Sequence, residues 1–271
     1  MIALVAASNK DQAAVNIADK LIANFGFQKT MQSYAGKPIF RRGEVLLAYI
    51  DVDSVHAEYL DREFDVETII FASRHRSESG ERTLTVHATG NTTSKATHDG
   101  KPKSLAWANP QRMKSALQAL KQAREDLSLL EYSVSLEATH HGPTELKIPV
   151  LFVEIGSSEK EWVNDKAGEA VAKAIYAAAS EPRTAKASVG FGGGHYPTKH
   201  TNVDLESEYA IGHILSKYFF DEFDASIVKL ALKKTINSCG AAIVDWKGLK
   251  SSHRTSLIPI LENEHVEIVK V

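Results

Sequence analysis

Histidine is the residue type through which this chain has most scope for chemistry. Eleven occur in 271 residues, and several fall in four polar motifs: Ser73-Arg74-His75-Arg76-Ser77, His87-Ala88-Thr89-Gly90-Asn91, Thr139-His140-His141-Gly142-Pro143 and Gly192-Gly193-Gly194-His195-Tyr196. Each follows a predicted strand. A fifth segment, Glu154-Ile155-Gly156-Ser157-Ser158, adds a carboxylate at another strand end. Neutral imidazole nitrogens and carboxylate oxygens are ligands that zinc prefers, and a catalytic zinc site uses three of them while leaving a position for water. The ion brings the pKa of that water to about 7 and so makes a nucleophile at neutral pH. The one cysteine, Cys239, excludes an intrachain disulfide and a Cys-rich zinc module.

Plainer readings stand beside this one. Side chains alternate faces along an extended backbone, so His140 and His141 cannot both point the same way there. His75 lies between two arginines, as a solvated basic loop would place it. His87 fits a strand-end histidine bonded to a backbone group. His98 and His200 read as surface loop residues, and His265 as a surface residue before the last strand. The three glycines before His195 serve either a tight turn needing positive φ or a ligand that must approach bare N–H groups. They do not match a phosphate loop, and no helix is predicted after Pro197. Basic residues cluster at Arg74, Arg76 and Arg82, at Lys95, Lys101 and Lys103, and at Lys199 with His200. These suit either nucleic-acid phosphates or an ordinary charged surface.

The elements that would position these groups alternate along the chain. Strands are predicted at 2–7, 67–72, 84–88, 132–138, 148–155, 185–189, 241–244 and 266–271, with a hairpin over 38–50. Ala14, Ile17, Ala18, Leu21, Ile22 and Phe25 recur at helical spacing before Gly26. Asn109-Pro110 supplies an N-cap and a proline at the first position of a helix carrying Met113, Leu117, Leu120, Leu127 and Leu130 toward the core. Residues 159–179 read as one Ala-rich helix, 224–235 as another and 255–261 as a short one. The segment 209–218 is open between strand and helix. The polar stretch 89–108 is long for a structureless connection, which marks it as a functional or mobile loop.

This alternation predicts an α/β fold, a single domain over 1–271 with a central mixed, mostly parallel sheet flanked by helices. In such sheets ligands gather outside the carboxyl ends of the strands, which is where the motifs fall. Hydrophobic content of 43% and charged content of 24% are ordinary for a globular protein. The formal net charge of -2 offers no overall field for a polyanion, so nucleic acid would have to be held locally. No segment has the roughly 18 apolar residues needed to span a membrane, and the N-terminus lacks a basic leader region. A cytoplasmic protein with no membrane and no DNA partner is expected.

Together, Ser73-Arg74-His75, His87-Ala88-Thr89-Gly90-Asn91, Ala138-Thr139-His140-His141-Gly142-Pro143 and Gly192-Gly193-Gly194-His195-Tyr196 resemble the archaeal and plant type of D-aminoacyl-tRNA deacylase, in order and spacing and over essentially the whole chain. The resemblance implies a fold like that of peptidyl-tRNA hydrolases and phosphorylases. It implies a zinc-dependent monomer, with one ion or two, that hydrolyses the ester joining a D-amino acid to the acceptor end of tRNA. Carried onto this chain, it makes His75, His140, His141, Glu154 and His195 the metal ligands, with His140, His141, Glu154 and His195 catalytic. The Gly192, Gly193 and Gly194 backbone would meet the aminoacyl-adenosine end, with Tyr196, Arg74, Thr89, Asn91 and Lys199 as further substrate contacts. The rival readings are a zinc-dependent peptidase or peptidyl-tRNA hydrolase-like enzyme, and a non-catalytic binder of the tRNA acceptor end.

Overall fold

The computed structural model describes residues 2–78, 80–96 and 99–271, so His98 lies outside the described residues. The first half of the chain forms β1 (Ala3–Ser8), α1 (Gln12–Asn24), β2 (Gln28–Tyr34), β3 (Lys37–Arg42), β4 (Val45–Ile50), α2 (Leu60–Glu63), β5 (Thr68–Arg76), β6 (Thr83–His87), β7 (Gly90–Asn91), β8 (Ser104–Leu105) and α3 (Pro110–Asp126). There follow β9 (Ser133–Leu136), β10 (Val150–Ser157), α4 (Glu159–Trp162), α5 (Asp165–Ser180), β11 (Lys186–Phe191), α6 (Thr198–Glu206), β12 (Tyr209–Leu215), α7 (Ala225–Lys234), β13 (Ala241–Val244), α8 (Ser251–Asn263) and β14 (Glu267–Lys270).

The larger sheet has the order β2-β3-β4-β1-β5-β10-β6-β9. Its centre, β4-β1-β5-β10, is parallel, β6 runs against β10, and β9 is parallel to β6. β1 is buried along its whole length between β4 and β5, which is why its sequence is apolar almost without alternation. The fold is thus α/β with a mixed, mostly parallel sheet. The C-terminal strands build a second, fully parallel sheet, β12-β11-β13-β14, beyond the single sheet expected. One apolar cluster joins the two, packing Val5, Ile70 and Leu151 with Ile211, Ile214 and Ile243.

Capping sets where the helices start. The Asp11 carboxylate accepts from Ala13 and Ala14 N–H at the head of α1, and its other oxygen accepts from Arg74 N–H at 2.8 Å, tying that helix to the end of β5. Asn109 accepts from Arg112 N–H at the head of α3, with Pro110 first in the helix.

Four local expectations are corrected. β2 has no apolar pattern because it is a solvated edge strand held by backbone pairing to β3. Residues 159–179 form two helices, because the Asn164 side chain caps a new start by accepting from Ala167 N–H. Leu130 lies past the end of α3 and is exposed. A helix does follow Pro197. In α6, His200 is fully buried, bonding Ile243 O at 3.1 Å, and Thr201 Oγ1 meets Ser135 Oγ at 3.2 Å, so packing supplies what the local sequence lacks. His200 is therefore a core residue and not part of a surface loop.

Site residues come from four neighbouring strands. Glu154 on β10 lies opposite Ser73 of β5 and Thr85 of β6, and Thr85 lies opposite Ser135 of β9. Because side chains alternate, His75, Glu154, His87 and Glu137 emerge on one face of the sheet, which forms the rim of the site. β6 and β9 run against β5 and β10, so this is not a shared carboxyl end of the strands.

α6 also contains a buried acid. Asp204 Oδ2 accepts from Ile211 N–H at 2.7 Å, while the Lys114 ammonium donates to the backbone oxygens of Asp204, Ser207 and Tyr209. Burial raises the Asp204 pKa to about 7 against an ordinary 3.8. The folded form keeps a proton that the unfolded chain loses, so this group's contribution to stability falls as pH rises from about 4 to about 7 and levels off above. Asp204→Asn should therefore gain stability over the native chain progressively across that window, by about 2–4 kcal/mol at pH 8. Urea unfolding at pH 4.5, 6 and 8 measures it, and a difference that does not change with pH would refute it.

Candidate functional site

The rim opens into a cleft of about 1050 Å³, lined by Arg74, His75, Asn91, His140, His141, Glu154 and His195 among others. Glu137 and His87 are buried behind it, about 1% and 0% exposed.

At the centre stands Glu137, just past the end of β9. Its oxygens are ringed by imidazoles: Oε2 lies 2.9 Å from His195 Nε2 and 3.5 Å from His140 Nε2, and Oε1 lies 3.2 Å from His75 Nδ1. Yet neither oxygen receives an aligned hydrogen bond. Glu154 Oε2 faces His75 Nδ1 at 3.3 Å and His87 Nε2 at 3.7 Å. A buried carboxylate without aligned donors is costly in an ordinary core, whereas oxygens and ring nitrogens converging on shared space are what a cation site requires.

The ring orientations point the same way. Nδ1 of His140 bonds Ala138 O at 2.8 Å, Nδ1 of His141 bonds Gly142 O at 2.6 Å and Nδ1 of His87 bonds Ala88 O at 3.2 Å. A carbonyl can only accept, so each Nδ1 carries a proton, and whenever such a ring is neutral its Nε2 keeps the lone pair. One ligand nitrogen from each of these three rings lies within 4.8 Å of the others. His75, Glu137 and His195 form a second grouping of the same span, and His87, Glu137 and Glu154 a third. Positive φ at His141, 44°, turns the chain so that adjacent His140 and His141 face one space instead of opposite sides.

Electrostatics separate the rings. Burial, followed by the charges of neighbouring imidazoles, pushes His140 well below its ordinary value and His141 to about 4, so both are neutral. For His75, burial is outweighed by Glu154 and Glu137, which lift it to about 9, and His87 is raised in the same way. Burial would raise Glu137, but His195 and His75 hold it below the usual carboxylate range. Glu154 is held low against burial by His75 and His87. The site therefore combines ionised carboxylates with neutral imidazoles at His140 and His141 (the two ligand forms a divalent ion takes), while His75 and His87 are held toward the protonated form by the carboxylates.

The residues expected from sequence divide. His75, His140, His141, Glu154 and His195 come together, and Arg74 and Asn91 line the same cleft. The cleft-lining residues do not include Gly192, Gly193, Gly194, Tyr196, Thr89 or Lys199. Thr89 is buried, donating to Pro143 O at 2.6 Å, and Lys199 is paired with Asp245 at 2.7 Å. Gly192 N–H is taken by Leu215 O, and Gly193 O accepts from Lys217 N–H. The glycines make the turn that brings His195 back from β11, where its carbonyl accepts from Ala138 N–H at 2.9 Å. Sequence reasoning missed Glu137, and it left His87 out of the ligand set. Glu137 carried the same signal as Glu154, an acid at the end of a predicted strand, only two residues before Thr139.

A Cβ on Gly193 (φ 77°) would meet Pro197 Cβ at 2.8 Å, whereas one on Gly194 meets nothing within 4 Å. Gly193→Ala should lose about 1–3 kcal/mol of stability and Gly194→Ala less than about 0.5 kcal/mol. Denaturant titration of both variants measures this, and equal losses would contradict the turn assignment.

Residues 62–269 match the family described as D-aminoacyl-tRNA deacylase. The chain is 39% identical over 266 residues to the D-aminoacyl-tRNA deacylase of Pyrococcus furiosus and 40% identical over 270 residues to that of Pyrococcus horikoshii, covering 96% of both chains in each case. It is also similar to a crystal structure described as a conserved protein of unknown function, with a TM-score of 0.91, 33% identity, and coverage of 99% of this chain and 95% of that one.

Proposed function

On the premise that the chain belongs to the D-aminoacyl-tRNA deacylase family, we propose that the histidine–carboxylate cleft is where it works. The protein is a hydrolase acting on ester bonds: water and D-aminoacyl-tRNA give free D-amino acid and tRNA. The aminoacylated acceptor end is the part of the substrate that enters, and Arg74 and Asn91 line its path.

The donor set fits zinc. Glu137, buried with both oxygens lacking an aligned hydrogen bond among imidazole nitrogens, is the observation that carries this reading. Ring nitrogens of His87, His140 and His141 would hold the ion, with Glu137 and Glu154 beside them; a second ion among His75, Glu137 and His195 would exclude the proton-transfer role of His195. A bound zinc ion supplies Lewis acidity that lowers the pKa of water and polarises a carbonyl.

The chain's own groups do the remaining work. His195 is the exposed member of the cluster, its side chain 41% accessible, with Nε2 against Glu137. It takes the proton of the attacking water as the new carbon–oxygen bond forms, and returns it to the ribose oxygen as the ester bond breaks. Glu137 steadies the imidazolium between these steps. Because the ester is already an activated acyl group, positioning accounts for much of the acceleration. No helix among the described residues is long and apolar enough to cross a membrane. The shared core of the two sheets supports one domain over 1–271, working as a cytoplasmic monomer.

Deacylation of D-Tyr-tRNA and L-Tyr-tRNA with and without a chelator, alongside elemental analysis, tests the proposal. The D-ester should be cleaved preferentially, chelator should abolish cleavage and the protein should carry zinc. Equal rates on both esters would reject chiral selection, and full activity without metal would reject zinc. Glu137→Gln should lower kcat by about 10²–10⁴-fold and reduce zinc content while the protein stays folded. Unchanged kcat would remove Glu137 from the reaction.

A further inference from the structure

Two consecutive residues grip the same carboxylate from opposite sides. His195 approaches Glu137 Oε2 directly, at 2.9 Å. Tyr196 reaches it through an intermediary: its hydroxyl bonds His75 Nε2 at 2.7 Å, and His75 Nδ1 faces Glu137 Oε1 at 3.2 Å and Glu154 Oε2 at 3.3 Å. The Ser77 side chain hydrogen-bonds the same tyrosine hydroxyl. Tyr196 does not line the cleft, so it is poorly placed to touch substrate. His75 is only about 7% exposed and has Trp162 Nε1 bonded to its backbone oxygen at 3.0 Å.

An imidazole can rotate about its bond to Cβ unless both ring nitrogens are engaged. The Tyr196 hydroxyl is the partner that holds Nε2, which leaves Nδ1 aimed between the two carboxylates. We propose that Tyr196 is a positioning residue: through His75 it sets the orientation of Glu137 and Glu154, and so the readiness of the cluster to hold a metal ion. Outer partners of this kind, which orient a ligand set without joining it, commonly contribute 10–100-fold to metal affinity. The assignment extends the zinc reading above and rests on it. It also gives a reason for the tyrosine directly after His195: the turn that delivers one imidazole delivers the anchor of another.

A double-mutant cycle on zinc affinity tests it, with metal-free protein titrated with zinc against a competing chelator. Tyr196→Phe should weaken zinc binding about tenfold or more in the native background and change it less than about twofold in a His75→Gln background. Ser77→Ala should act in the same direction with a smaller effect, and stands in if Tyr196→Phe does not fold in a zinc-free melt. Equal losses in both backgrounds, or none in either, would overturn the positioning role while leaving the zinc site intact. A native protein that binds no zinc would overturn the zinc reading and this assignment with it. Deacylation kinetics of the same variants should show the loss in kcat and not in KM.

Discussion

Two carboxylates buried within one small volume govern this structure. An oxygen of Glu137 and one of Glu154 lie within 4.8 Å of each other and of a His87 nitrogen, where ionised oxygens would ordinarily repel and be driven to neutralise. Both are nonetheless held below the usual carboxylate range by the surrounding imidazoles. That compensation cannot come from one segment. It needs His75 from β5, His87 from β6 and His195 from the turn after β11, so the charge balance exists only when both sheets are assembled. Replacing one partner of such a set leaves the others with uncompensated charge, and this couples the chemistry of the rim to the packing beneath it.

The second sheet supplies the most accessible of the rings that face Glu137. Of the three rings donating to backbone carbonyls on or beside the larger sheet, His87 is fully buried while His140 and His141 line the cleft. His195 arrives from the turn after β11 of the smaller sheet, with its side chain 41% accessible against 27% for His140. The glycine turn, the burial of His200 against Ile243 O and the bond from Ala138 N–H to His195 O fix where it lands. A cluster with sheltered carboxylates and accessible imidazoles is compatible with ester hydrolysis, because proton traffic needs access while buried charge needs shelter.

How much of this was legible depended on how local the cause was. The buried parallel strands, the cap at Asn109, the helix over 224–235, the hairpin and the placement of polar motifs at strand ends all follow from short-range periodicity and side-chain chemistry. β2 was not legible, because backbone pairing at an edge leaves no side-chain pattern. Nor was α6, whose His200 and Thr201 are ordered by partners 43 and 66 residues away. Glu137 looked like an ordinary polar residue after a strand. Only the register Thr85–Glu154 and Thr85–Ser135 brings it up beside Glu154.

By itself, then, the sequence determined which residue types stand at the strand ends, and through its motifs the family to which the chain belongs. It also put imidazoles and carboxylates at those ends and supplied a single thiol in the whole chain. The tertiary structure decided which of them meet. It placed Gly192 and Gly193 in a turn bonded to Leu215 and Lys217, set the Tyr196 hydroxyl against His75 Nε2, and brought Glu137 and His87 into the cluster. The reason is physical: side-chain identity and local periodicity reach a few residues, whereas ligand geometry is a matter of ångströms between segments far apart in the chain. Those distances are set by strand register and by the docking of one sheet on the other.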